Sequence, residues 1–141
     1  MKPILLLLSL LGLTAVFLTA CEGDPDPIPA TIAELCTMES NTWVLVEGQF
    51  SLPTFLTCQE GKCRLNFGGG GSGIMADMRT SDTPRANMLK MPPDQFTDDD
   101  LSFVLDDESL GNRNTVVSVM GRVKRPSDTS CYLDVSSVSL P

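Results

Sequence analysis

Apolar and polar residues alternate with a period of two over several short stretches, which predicts strands. From Trp43 to Phe50, Val44, Val46, Gly48 and Phe50 share one face, while Glu47 and Gln49 take the other. Thr115 to Lys124 repeats the design, with Val117, Val119, Gly121 and Val123 opposed to Ser118, Arg122 and Lys124. Cys63, Leu65 and Phe67 mark a third strand, and Ile74, Ala76 and Met78 a fourth. Gly68 to Gly73 (GGGGSG) joins those two, so short a link that they form an antiparallel hairpin. A last strand begins at Cys131 with Leu133 and Val135. Val138 and Leu140 continue it out of phase, which predicts a bulge at Ser136-Ser137.

Phe96 to Leu105 carries both periods. As a helix, Thr97 is its N-cap, Asp98, Asp99 and Asp100 complement the dipole, and Phe96 and Leu101 occupy staple positions. As a strand, Leu101, Phe103 and Leu105 alternate and Asp106-Asp107-Glu108 begins a turn. The brevity of the segment favours the strand. Thr31 to Met38 reads as a brief helix or an irregular lead-in.

The two most regular strands share the pattern V-x-V-x-G-x-(F/V). A glycine inside a strand marks a bulge, a bend or a close backbone approach. Two strands bent in this way predict a coiled all-β barrel rather than a flat sandwich. With the order strand, strand, strand, irregular insert, strand, strand, residues 42–141 resemble the OB-fold, a small five-stranded Greek-key barrel. Val117 to Val123 is the best-matching stretch. A β-sandwich is the alternative. An immunoglobulin-like one wants about seven strands and a Trp between paired cysteines. Trp43 does lie between Cys36 and Cys58, but those cysteines are too close together for that arrangement.

The amino-terminal region has another character. Lys2 precedes a nearly unbroken apolar run from Ile4 to Leu18, followed by Leu18-Thr19-Ala20-Cys21. This is the order of a secretory signal, and a run of fifteen residues falls short of the roughly 20 that span a bilayer core. Leu18 to Cys21 resembles the lipobox of bacterial lipoprotein precursors. That resemblance implies removal of residues 1–20, a diacylglycerol on the Cys21 sulfur and an acylated new amino terminus. It places the protein in the cell envelope, held to the membrane by lipid. The family's retention signal is Asp after the cysteine, and Glu22 stands there instead. Delivery is then to the outer membrane where the organism has one, and otherwise to the outer face of the cell membrane. Glu22 to Pro29 (EGDPDPIP) reads as a stiff, solvated spacer, so residues 21–41 form the lipidated cysteine, spacer and lead-in to the domain.

Lipidation of Cys21 resolves the odd count of five cysteines. The other four are expected to form disulfides in an oxidising compartment. Of the three pairings, Cys58–Cys63 with Cys36–Cys131 is preferred. Gln59-Glu60-Gly61-Lys62 holds the glycine a tight reversal wants, and the second pair ties the chain's entry to its final strand. The C-x4-C spacing, with two distant cysteines and no histidine, opposes a zinc site.

Charge and chemistry narrow the function. Without Lys2, nine Lys and Arg face eighteen Asp and Glu, a net charge of −9. That balance opposes binding to a phosphate backbone. Arg122, Lys124 and Arg125 read as a solvated strand end. The glycine run lacks the Gly-Lys-Ser/Thr ending of a phosphate loop. Seven carboxylates lie between Asp94 and Glu108; Asp98, Asp100, Asp106 and Asp107 are the calcium candidates, but their spacing is not that of a calcium loop. With no histidine, Ser-His-Asp and Cys-His catalysis is excluded within this chain, and no cofactor or catalytic residue is implied. The expectation is a non-catalytic binding module for a protein, peptide or oligosaccharide, with Trp43 and Tyr132 as the ligand-binding candidates. A structural or assembly subunit of an envelope complex is the alternative, and a small envelope enzyme with a carboxylate pair is the third reading.

Overall fold

A computed structural model describes residues 23–141. The signal segment 1–20 and Cys21 lie outside the described residues. The alternating stretches are strands: β2 (Trp43–Ser51), β4 (Lys62–Gly69), β5 (Ser72–Ser81), β9 (Val117–Ser127) and β10 (Ser130–Ser139). Smaller elements are β1 (Ile28–Ala30), α1 (Ile32–Leu35), β3 (Thr57–Gln59), β6 (Met88–Lys90), a 3-10 turn at Asp98–Asp100, β7 (Phe103–Val104) and β8 (Leu110–Gly111).

Five of these strands close on themselves. β2 pairs antiparallel with β4 and β9, β4 with β5, and β9 with β10. The ring is completed by parallel pairing of β5 with β10, where Met75 meets Tyr132 and Asp77 meets Asp134. This circular order is the OB-fold barrel, and it replaces the sandwich alternative. Closure removes most free strand edges. Inward positions follow the expected parity: Val44, Val46 and Phe50, then Leu65 and Phe67, Ala76 and Met78, Val117, Val119 and Val123, and Leu133 are all buried. At the centre, Phe50 packs on Phe67 with ring centroids 4.8 Å apart and on Phe103 at 5.4 Å.

The two strand glycines allow close approach. A Cβ on Gly121 would overlap the Asp134 carbonyl oxygen, with its carbon at 3.2 Å and Leu133 Cδ1 at 3.3 Å. On Gly48 it would lie 2.7 Å from the Phe67 ring and 2.8 Å from the Gly68 carbonyl oxygen. Gly121 pairs with Val135, and the register slips directly after it, between Val135 and Ser137. The predicted bulge therefore sits where β10 bends against Gly121.

The first two hairpins use left-handed backbone. Glu60 and Gly61 (φ 52° and 76°) turn β3 into β4, and Gly70 and Gly71 (φ 60° and 81°) turn β4 into β5. Cys58 and Cys63 face each other across the first turn as a disulfide, and Cys36 is joined to Cys131. This is the preferred pairing.

Two expectations change. The domain begins before residue 42, because β1 pairs in parallel with β2 and α1 buries Ile32 and Leu35 in the core. Part of the expected spacer is thus sheet, and Pro29 is tolerated because β1 is an edge strand. Residues 96–105 divide between the two readings. Thr97 donates its amide to Asp100 Oδ2 (2.7 Å) at the start of the 3-10 turn, and Phe103–Val104 then enters a short sheet with β6 and β8. Among the described residues, no helix is long and apolar enough to cross a membrane.

Candidate functional site

The outward residues of β4, β5 and β10, opposite in parity to the core, form a polar cleft of about 410 Å³. Lys62 and Arg64 project from β4, Asp77 from β5, and Tyr132 and Asp134 from β10; Thr57, Gln59 and Glu60 of the first hairpin form the rim. Alternation puts them all outside: each is flanked along its strand by a buried residue such as Cys63, Leu65, Met78 or Leu133.

Two ion pairs form inside the cleft. Arg64 holds Asp77 bidentately, through Nε (2.7 Å) and Nη2 (2.8 Å). Lys62 Nζ reaches Asp134 Oδ1 at 2.6 Å. The Asp77 hydrogen bonds are the main reason the Arg64 guanidinium is held above its ordinary pKa, with burial opposing them. Its guanidinium carbon also lies 4.5 Å from the Tyr132 ring centre, a cation–π geometry. Tyr132 is thus fixed at the floor, one ring face covered by Arg64. Asp77 and Asp134 are each engaged by a cation across the strands, and Glu60 adds a third carboxylate at the rim.

The sequence singled out Tyr132, which lines this cleft, but not Lys62, Arg64, Asp77 or Asp134. They come from three strands spread over more than seventy positions. The available signal was that polar residues alternate with core residues on strands destined to be neighbours.

Trp43 lies elsewhere. It is half-buried on β2 opposite Arg122, whose guanidinium carbon is 5.0 Å from the ring centre. Trp43 and Tyr132 stand on the two strands that flank β9, Trp43 opposite Arg122 and Tyr132 opposite Lys124.

The calcium candidates do not come together. Asp98 Oδ1 accepts the Leu52 amide (2.7 Å), and Asp100 is occupied at Thr97. Asp107 accepts the hydroxyl and amide of Ser109, which hold its carboxyl below its ordinary pKa. The Asp106 amide donates to the Val138 carbonyl oxygen, pinning the turn to β10. No group of three or more His, Cys, Asp or Glu among the described residues is placed to hold a metal ion. These acids fasten loops.

A second depression, about 590 Å³, runs between β1, α1 and the glycine hairpin and is lined by Ile32, Leu45, Gly48, Gly69 and Val116. It is the more apolar of the two.

These features define a small OB-type barrel with an outer cleft that holds two cross-strand ion pairs. The chain matches no family model and no curated protein. Among solved structures it is similar to the E. coli protein ygiW, at 13% identity over 81% of this chain and 90% of that one, with a TM-score of 0.49. It is also similar to a chain of the S. pombe Stn1–Ten1 complex, at 15% identity over 84% and 79%, with a TM-score of 0.44. The assignment of the fold rests on the strand order itself.

Proposed function

We propose that the protein is a lipid-anchored, non-catalytic envelope protein whose barrel binds a protein or peptide segment through the Tyr132 cleft. The observation that carries this reading is the cleft's composition: two cross-strand ion pairs around Tyr132, on the second, third and fifth barrel strands. OB barrels bind their ligands on that face, between the loops that join strands one to two and four to five. A polyanion would have to displace both carboxylates against the chain's overall acidity, which works against nucleic acid. A peptide bearing both signs of charge can exchange partners with Lys62–Asp134 and Arg64–Asp77 while packing on Tyr132. An oligosaccharide could use the same polar groups, and it is the competing ligand class.

The envelope location rests on the lipobox-like Leu18 to Cys21 and agrees with two disulfides among the remaining cysteines. The assembly reading keeps one observation in its favour, the apolar groove beside the open edge of β1. Affinity capture of the lipidated protein from its native envelope tests these readings together with a glycan array of the domain. A captured partner lost on Tyr132→Ala supports the cleft. Glycan binding without a partner assigns it to sugars, and a partner lost only on Val116→Asp assigns the function to assembly at the groove.

A further inference from the structure

The strand register carries the polar row of the cleft onto β9 and β2. Arg64 meets Asp77, Asp77 meets Asp134, Asp134 meets Arg122, and Arg122 meets Trp43. The two acids of this row are met from the barrel itself, Asp77 by Arg64 and Asp134 by Lys62. Arg122 is different. Register sets it opposite Asp134, yet its Nη2 turns to Asp24 Oδ1 at 2.5 Å, on the exposed segment before β1. The rest of the guanidinium is fixed by the barrel. Nη1 donates to the Asn41 carbonyl oxygen at 3.1 Å, and the carbon stands 5.0 Å from the centre of the Trp43 ring. The sheet thus holds a cation in place, and the acid that takes it comes from outside the sheet. The Asp24 side chain stays 66% exposed there, and an ion pair in that setting shifts an equilibrium by about fivefold at most.

We infer that Arg122 and Trp43 form a second subsite of the binding face, which takes a carboxylate side chain of a bound peptide, and that Asp24 fills it in the free protein. The inference rests on the reading of the Tyr132 cleft as a peptide-binding face and extends that face over β9. Arg122 is one strand, about 4.8 Å, from Asp134. Side chains on one face of an extended peptide recur every second residue, about 6.8 Å apart. On the convex outside of a barrel, side-chain ends splay further than the strands that carry them, so the two spacings converge. A peptide cation at Asp134 then brings an acid two residues along to Arg122, where the Trp43 ring receives its stem. The pattern the surface selects is a Lys and a Glu two positions apart.

The probes are two coumarin-labelled, end-blocked octapeptides with the repeats Lys-Ser-Glu-Ser and Lys-Ser-Gln-Ser, titrated by fluorescence anisotropy against the full chain. Asp24→Ala is expected to tighten the Glu peptide about fivefold, the worth of the exposed pair it removes, and not the Gln peptide. Adding Arg122→Gln is expected to cancel the gain, and Tyr132→Ala to weaken both peptides. A Glu peptide indifferent to Asp24→Ala but weakened by Tyr132→Ala overturns the subsite and leaves the cleft reading standing. Equal tightening of both peptides also overturns the subsite, because the Gln peptide brings no carboxylate to Arg122. Failure of both peptides to bind any variant overturns the subsite together with the peptide reading of the cleft.

Discussion

Substituting Gly121 with alanine tests the coiling of the barrel at its tightest point. The new methyl would overlap the Asp134 carbonyl oxygen and stand 3.2 Å from its carbon. Neither atom belongs to a side chain that can swing aside, because Asp134 is paired with both Arg122 and Asp77 across the sheet. Overpacking of this kind costs about 1–3 kcal/mol, and a backbone obstacle puts Gly121→Ala at the upper end, about 3 kcal/mol. Gly73→Ala is the control. Its Cβ would have nothing nearer than the Phe67 carbonyl oxygen at 3.7 Å. A reduced unfolded-state entropy then makes it neutral to about 0.5 kcal/mol stabilising. Urea unfolding followed by Trp43 fluorescence reads both. With a slope of about 1.5 kcal/mol per molar urea, Gly121→Ala lowers the midpoint by about 2 M at unchanged slope. A Gly121→Ala midpoint equal to that of Gly73→Ala would refute the close approach as the reason for glycine.

The disulfides differ in the loops they close. Cysteines 36 and 131 are 95 positions apart and cysteines 58 and 63 are 5 apart, so loop-closure entropy is worth about 4.7 and about 2 kcal/mol respectively. Cys36→Ser/Cys131→Ser should therefore lower the urea midpoint more than Cys58→Ser/Cys63→Ala, and the reverse order would count against the model of stabilisation. Glu34 accepts the amide and hydroxyl of Thr31 (both 2.8 Å), and these bonds, the amide first, hold its carboxyl below the ordinary 4.5. A depressed folded-state value means the cap is fully formed above that pH and lost as pH falls through the lower, folded value. Hydrogen exchange at the Thr31 amide should accelerate relative to core amides in that acid range, and Glu34→Gln should abolish the added pH dependence.

The fold was legible because its strands are half-buried and therefore alternate. Val44, Val46 and Phe50 announce an inward face, and the switch of phase after Val135 announces the bulge. The glycines were legible as bends, although only the packed barrel shows that one meets a backbone carbonyl and the other a phenylalanine ring. β1 was hidden because Pro27 and Pro29 read as spacer, and what makes it a strand is the β2 edge that receives it. Residues 96–105 carried two valid local signals, and tertiary pairing divided the segment between them. The cleft was the least legible feature. Arg64 and Asp77 become partners only through the β4–β5 register, and Asp134 reaches Lys62 only because β10 closes the barrel in parallel with β5. Single-residue chemistry could point to Tyr132 and Trp43, but not say that β9 runs between them.

The central claim is that the β4–β5–β10 cleft is the binding face. A diazirine photo-crosslinking residue at Gln59 on the cleft rim, irradiated in intact native envelopes, measures this most directly, with the same residue at Glu108 as the remote control. The account predicts a discrete adduct from position 59, lost on Tyr132→Ala, and none from position 108. Adducts of equal yield from both positions, or an adduct at 59 indifferent to Tyr132→Ala, would contradict it.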